Sequence, residues 1–495
     1  MWVRRRQQPR ATLTRDDGRS RVVRPAAPPP AGGLISWVTL ALLTVGSVGS
    51  LGSAPALAVF GLASVFLYLL PAAVFLLPIT LVAAELASGW SGGVYNWVEE
   101  GISAPMGLLA VWCEFAQTIF FYPALLAYVA DTLAYVINPR LAGNGVYTAV
   151  IIIVLFWGGV FVTSRGVRFA DILSSTGTRA GTLIPGAILV ALGAAYLLQG
   201  NHSAAPMTAQ HLLPPWHGLA SIVLVVNSFF TYAGIEVNAV HVNELRNPAR
   251  DYPKSIFLAV ALVLAVFILS TLAISWVVPS HQIGLTIGVM QAVNRLLTHF
   301  GVAFALPLFA IALAVGALAG MITWLDGPSE GLLRIGREQG FLPLYFQKVN
   351  RQGIEVRILA AQGTVITLIA LLYAFIPSVS RAYWIFTVLA TQVYLIMYVL
   401  MFIAAMRLRR SQPNHPRGYR APALNLLGVL GVTSCVAAFV IGFVPPSQTG
   451  HSDPFAYGVL ILAGILAIGI LPPLLLDRLR KPGWKAAGGE ASSQQ

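Results

Sequence analysis

Charge is scarce in this sequence: Asp, Glu, Lys and Arg together make up 10% of its 495 residues. A soluble domain of average composition carries roughly 25%, so a fully solvated globular surface is excluded. Cysteine is scarcer still. Cys113 and Cys435 both fall inside apolar runs, which excludes a disulfide framework and a cysteine metal site. Alternating strand-length hydrophobicity is missing, and with it a β-barrel. There is no His-Glu-x-x-His run, no paired acids with histidine at one depth, no metal-ligand set and no cofactor motif. A membrane-embedded enzyme therefore lacks a catalytic centre. A channel or receptor is another reading of such a chain, and no repeated selectivity-filter ring supports a channel.

Hydrophobic residues make up 57% of the chain. Apolar runs close to the roughly 20 residues needed to cross a bilayer as helix recur along it. The expected spans are 34–56, 57–84, 106–137, 146–164, 179–198, 217–241, 254–278, 301–325, 356–376, 381–406, 423–444 and 455–476. That is an all-α membrane protein of about twelve transmembrane helices. The semi-polar segment 281–299 is expected as an outer hairpin and not a span.

The net charge of +13 comes from 31 Lys and Arg against 18 acids. Their placement argues against nucleic-acid binding. With a cytoplasmic N-terminus, only Arg140, Arg295 and Arg381 fall on the outer side. So strong a bias follows the positive-inside rule and predicts both termini in the cytoplasm of a cell membrane. Residues 1–33 are Arg-rich and end in Pro25-Ala-Ala-Pro-Pro-Pro30, the composition of a disordered arm. Ala56-Leu57-Ala58 mimics a signal-peptidase site, but the long preceding region and the following span favour an uncleaved chain. Residues 478–495 form a short cytoplasmic tail in which Trp484 is the one apolar anchor.

The membrane-embedded domain, 34–477, divides into segments of similar length, about 34–198 and 217–410, followed by two extra helices within 423–476. Each segment opens with an apolar helix interrupted by small and polar residues. The first interruption is Gly46-Ser-Val-Gly-Ser-Leu-Gly-Ser-Ala-Pro55. The second is Asn227-Ser-Phe-Phe-Thr-Tyr-Ala-Gly-Ile-Glu236. Small residues in membrane helices commonly serve close packing. Two interruptions at matching places point instead to broken helices at a substrate site, because unwound backbone at mid-membrane needs partners.

Thr231-Tyr-Ala-Gly-Ile-Glu-Val-Asn-Ala-Val-His-Val-Asn-Glu-Leu-Arg-Asn-Pro-Ala-Arg-Asp-Tyr-Pro253 resembles the sixth helix and following loop of the amino acid–polyamine–organocation permeases. The glutamate/γ-aminobutyrate antiporter branch is the most similar. Ala83-Ala-Glu-Leu-Ala87, Gly92-Gly-Val-Tyr-Asn-Trp97, Gly327-Pro-Ser329 and Pro445-Pro446 are further matches. The resemblance implies a leucine-transporter-like fold with 5+5 inverted repeats. It implies secondary transport by alternating access, as exchange or proton-coupled uptake, of glutamate/γ-aminobutyrate-like or neutral amino acids. By position it assigns substrate binding to Ser47, Val48, Gly49, Ser50, Gly52 and Ser53 in the first break. In the second break it assigns Phe229, Phe230, Thr231, Tyr232, Ala233 and Gly234, with the three aromatics shaping or gating the pocket. Where this chain has Leu51-Gly-Ser-Ala-Pro55, glutamate antiporters carry an aromatic and acidic run. The pocket wall here is smaller.

Intramembrane acids default to functional roles. Glu236 and Glu114 are the candidates for gating or proton coupling. Asp131 is expected to face water or Arg140. Asp326 is expected to end the eighth helix, and His241 to be solvated or capping. Arg179 stands where proton-coupled members of the fold place a basic side chain on the fifth helix. Trp37, Trp90, Trp97 and Trp216 read as interfacial anchors. The expected partners are a small amino acid, the bilayer and protons. Nothing in the pattern fixes an oligomeric state.

Overall fold

The computed structural model describes residues 35–47, 51–165, 181, 183–216, 218–376, 378–449 and 453–485. They form helices joined by short loops, with no β-strand among the described residues. Each expected apolar run contains helix. Among the described residues, eight helices are long and apolar enough to cross a membrane: Gly61–Gly89, Ala104–Ile137, Gly145–Ser164, Pro248–Val277, Ala303–Gln339, Val379–Ser411, Leu424–Ile441 and Pro454–Arg478. Ile184–Leu198, Val223–Ala239 and Val356–Leu372 are shorter apolar helices. The first span is in pieces: Trp37–Ser47, a tight turn Leu51–Ser53, and Ala54–Ala58. Segment 281–299 holds the amphipathic helix Gly288–His299, whose apolar face is buried.

Ala104–Ile137 and Val379–Ser411 form the centre. Their apolar stretches are 78% buried, against 22% for the last span. Central helices meet protein on all faces; the last span turns leucines such as Leu474 and Leu475 outward.

The eighth helix does not end at Asp326. It runs through Gly327-Pro328 and stops at Gln339, where Gly340 takes φ +74°. An interior proline removes one ladder N–H. Next to it, the Ser329 hydroxyl lies 2.6 Å from the Leu325 carbonyl, and the helix continues past the gap. Glycine then supplies the left-handed stop.

Trp90 and Trp97 are not interfacial anchors. Both are buried. Trp97 Nε1 donates to the Trp90 carbonyl at 2.8 Å, and the Trp90 ring stacks on His415 at 4.6 Å. Their apolar area is spent on joining the link after the second span to the loop after the tenth.

Candidate functional site

The sixth span is helical over Val226–Tyr232. It opens at Ala233, which is extended (φ −65°, ψ 143°), and at Gly234, which is left-handed (φ +93°). A tighter helix, Ile235–Glu244, resumes the span. Ending a helix removes the i+4 donors of its last carbonyls. Glycine is required at position 234: its φ is hostile to other residues, and an added Cβ would lie 2.3 Å from the Trp324 ring.

The first break faces the sixth span directly. Asn227 Nδ2 donates to the Ser53 carbonyl at 2.9 Å, and the Tyr383 hydroxyl donates to the Gly52 carbonyl at 3.2 Å. Gly52, Ser53, Asn227, Phe230, Thr231, Tyr128, Tyr383 and Thr387 share the wall of a cavity of about 50 Å³. No charged side chain lines it among the described residues. Its polar groups are hydroxyls, one amide and backbone. A Cβ on Gly52 would stand 2.8 Å from the Tyr128 ring. Gly52→Val is therefore expected to abolish uptake while the purified chain stays monodisperse. Normal uptake by that variant would take Gly52 out of the substrate wall.

Not every expected residue reaches this cavity. Phe230 lines it and meets Phe121 at 5.5 Å between ring centres. Phe229 instead packs on Phe75 at 4.8 Å. Tyr232 turns away, donating to the Tyr68 carbonyl at 2.9 Å. Successive helical positions point about 100° apart, so three neighbouring aromatics cannot share one pocket wall. Val48, Gly49, Ser50 and Arg179 lie outside the described residues, and Ser47 closes the helix before them.

A second cavity, of about 160 Å³, lies toward the end of the molecule that carries Arg334, Arg409 and Arg417. Glu236, Glu114, Tyr95, Gly327, Gly331 and Arg334 are among its walls. A Cβ at Gly327 or Gly331 would enter open space, so two glycines one turn apart on the eighth helix keep this space free. Glu236 is buried and fully engaged. The Tyr394 hydroxyl donates to Oε1 at 2.7 Å; the Tyr398 hydroxyl at 2.7 Å and the Gly234 N–H at 3.1 Å donate to Oε2. Glu236 thus ties the helix break to the tenth span. Glu114 is half-buried on the same cavity. Asp131 does not face water or Arg140. It is buried, and Oδ1 accepts the Gly143 N–H at 2.8 Å, which holds the turn after the third span. His241 hydrogen-bonds Glu244 at 3.0 Å in a half-exposed pair.

Glu85 was missed as a charged residue of interest. It is buried between two guanidiniums: Arg409 Nε donates at 2.7 Å and Arg417 Nη1 at 2.6 Å, with Arg409 Nη2 and the Ala421 N–H on Oε2. The signal was present in the Ala83–Ala87 motif. Tyr383, Thr387, Tyr394 and Tyr398 were missed as well. Their spacing of four, seven and four puts them on one face of the tenth helix, a polar stripe visible in the sequence.

Residues 35–466 match the amino acid permease family. An uncharacterized transporter of Legionella pneumophila is 34% identical over 90% of this chain and 97% of its own length. A glutamate/gamma-aminobutyrate antiporter of Lactococcus lactis is 27% identical over 89% of this chain and 90% of its own. The structure of MhsT in complex with L-phenylalanine superposes with a TM-score of 0.53 at 15% identity, covering 83% of this chain and 98% of that one. The architecture is thus leucine-transporter-like. With a family match across nearly all its spans and two broken helices meeting at one cavity, the chain belongs to the amino acid permease family and is an amino-acid transporter.

Proposed function

We propose that the chain carries amino acids with an uncharged side chain, by exchange or together with protons. The observation behind this is the cavity between the two breaks. Free backbone ends suit the carboxylate and ammonium common to every amino acid. The remaining wall is aromatic, hydroxyl and amide, and no described group there would pair with a third charge. A side-chain charge moved into that wall would be left without a partner, at a cost that decides selectivity. Ser47 to Ser53, Phe230, Thr231 and the backbone of Ala233 and Gly234 are proposed to hold the substrate. Glu236 is proposed as the coupling acid and Glu114 as its neighbour along the exit path. Arg179 is proposed as a fixed cation on the fifth span.

In this reading the end bearing Arg334, Arg409 and Arg417 faces the cytoplasm of the cell membrane, with residues 1–33 and 478–495 on the same side. Alternating access then moves the first and sixth spans against the third, eighth and tenth, opening the small cavity to either side in turn.

Counterflow in reconstituted vesicles with a panel of labelled amino acids tests the proposal. Saturable counterflow is expected for neutral amino acids. Counterflow of ionised aspartate or lysine at equal rates would overturn the charge argument. Transport is also expected to persist when choline replaces sodium. The eighth helix carries no carboxylate from Leu306 to Leu325, so it offers no acidic ligand for sodium in the half nearer Leu306. Strict sodium dependence would contradict this.

A further inference from the structure

Away from the transport path, a cavity of about 330 Å³ opens between the third, eighth, ninth and twelfth spans. That is within the range of small-molecule clefts, which begin at roughly 300 Å³. Its walls are apolar, including Trp112, Phe115, Ala361 and Ile468. Three independent features set it apart from an ordinary gap between helices.

The first is a buried polar atom. Gln362 is 4% exposed; its Nε2 donates to Thr118 Oγ1 at 2.7 Å, while Oε1 has no partner. Leaving that buried amide oxygen without a partner is costly, so this wall is not shaped by packing alone.

The second is backbone shape. The twelfth span widens into a π-turn over Ile465–Ile470, and Trp112 Nε1 takes the Ile468 carbonyl at 2.7 Å. Such turns recur at functional sites, and this one forms a wall of the cavity.

The third is charge. Arg357 adjoins the wall residue Ile358, and its guanidinium lies 4.3 Å from the Tyr345 ring centre. Arg480, one turn beyond the wall residue Leu476, lies 4.4 Å from the centre of Phe341. Arg478 and Lys481 are exposed beside it. Arg357, Arg478, Arg480 and Lys481 outnumber the nearby acids: Glu355 is buried against Ser329, Asp477 lies beside them on the chain, and Glu99 lies within electrostatic reach of Arg480.

We propose that this cavity binds one anionic phospholipid, an acyl chain filling the apolar cleft and the phosphate meeting Arg357 and Arg480. The outward leucines of the twelfth span set the mouth among lipid chains. The basic rim lies at the end where the chain leaves the membrane, the level at which headgroups sit.

The test uses the purified full chain, with lipid retention read by native mass spectrometry and melting temperature read alongside. Phosphatidylglycerol is expected to be retained and to raise the melting temperature, and phosphatidylcholine is not. The double change Arg357→Gln with Arg480→Gln is expected to weaken phosphatidylglycerol retention roughly thirty-fold, from about 1 kcal/mol per basic side chain near an anionic headgroup. Ala361→Phe, at an exposed position, is expected to expel the lipid by filling the cleft. Counterflow by each variant verifies that it is folded. Equal retention of both lipids by the unaltered chain would overturn the proposal, and so would undiminished retention by Ala361→Phe. Inorganic phosphate that reproduces the melting shift would reduce the rim to a free-phosphate site. A dimer that Ala361→Phe dissolves would assign the cleft to a second copy of the chain.

Discussion

Glu85→Ala is expected to cost about 3–5 kcal/mol of stability, the usual penalty for stranding a buried charge. The Arg417 side chain is 1% exposed and that of Glu85 3%. With the carboxylate gone, Arg417 keeps the carbonyls of Gln412 and Pro413 but no counter-charge. Arg409 is 27% exposed on its side chain and can turn to water, so most of the cost comes from Arg417. Glu85→Gln preserves shape and one acceptor and is expected to lose less. Arg334→Gln supplies the contrast. Its partner Glu338 is about half exposed, and such pairs contribute about 0–1 kcal/mol. Thermal unfolding of the three variants in one detergent orders them. A Glu85→Ala chain as stable as Arg334→Gln would show that the clamp contributes nothing. The clamp joins the C-terminal end of the second span to the tenth span and its following loop.

The spans were legible because lipid forces every crossing segment to be both apolar and helical. Hydropathy alone therefore located all the apolar runs, including the two interrupted ones. Gly234 was legible for a related reason: a small-residue stretch between apolar turns is where a helix can open. Helix ends were less so. Gly327-Pro328 reads as a stop, yet the helix crosses it while packed against the third span, a tertiary constraint that composition does not encode. Which neighbour faces the cavity was also hidden. Phe229, Phe230 and Tyr232 are equally aromatic in sequence, and only the rotation of the helix separates them. Asp131 and Glu85 show the same limit for charge. An acid in an apolar run announces that it has a partner, but Gly143, Arg409 and Arg417 lie far from it along the chain or across a turn.

Glu236→Gln is expected to strip uptake of its pH dependence while leaving the chain folded. The geometry makes the two effects separable. Oε2 accepts from the Gly234 N–H and the Tyr398 hydroxyl, and Oε1 accepts from the Tyr394 hydroxyl. An amide can put its oxygen at the Oε2 place and its nitrogen at the Oε1 place. The Tyr394 hydroxyl then rotates to accept. The hydrogen bonds persist and only the ability to take a proton is lost. Other ionisable groups around the same cavity are Tyr394 and Tyr398 from the tenth span, Glu114 from the third, Tyr95 from the helix Gly93–Gly101, and Arg334 and Glu338 from the eighth. Glu114→Gln is therefore measured beside it: if Glu114 were the coupling acid, that variant would lose the pH dependence and Glu236→Gln would keep it. Tyr398→Phe is a second comparison. It retains the carboxyl but removes one donor to it and one acceptor of the Gly234 N–H, at 2.8 Å, so its profile is expected to shift along the pH axis and not to flatten. An unchanged profile in Glu236→Gln would leave Glu236 as the acceptor that holds the Gly234 break against the tenth span, with no part in carrying protons.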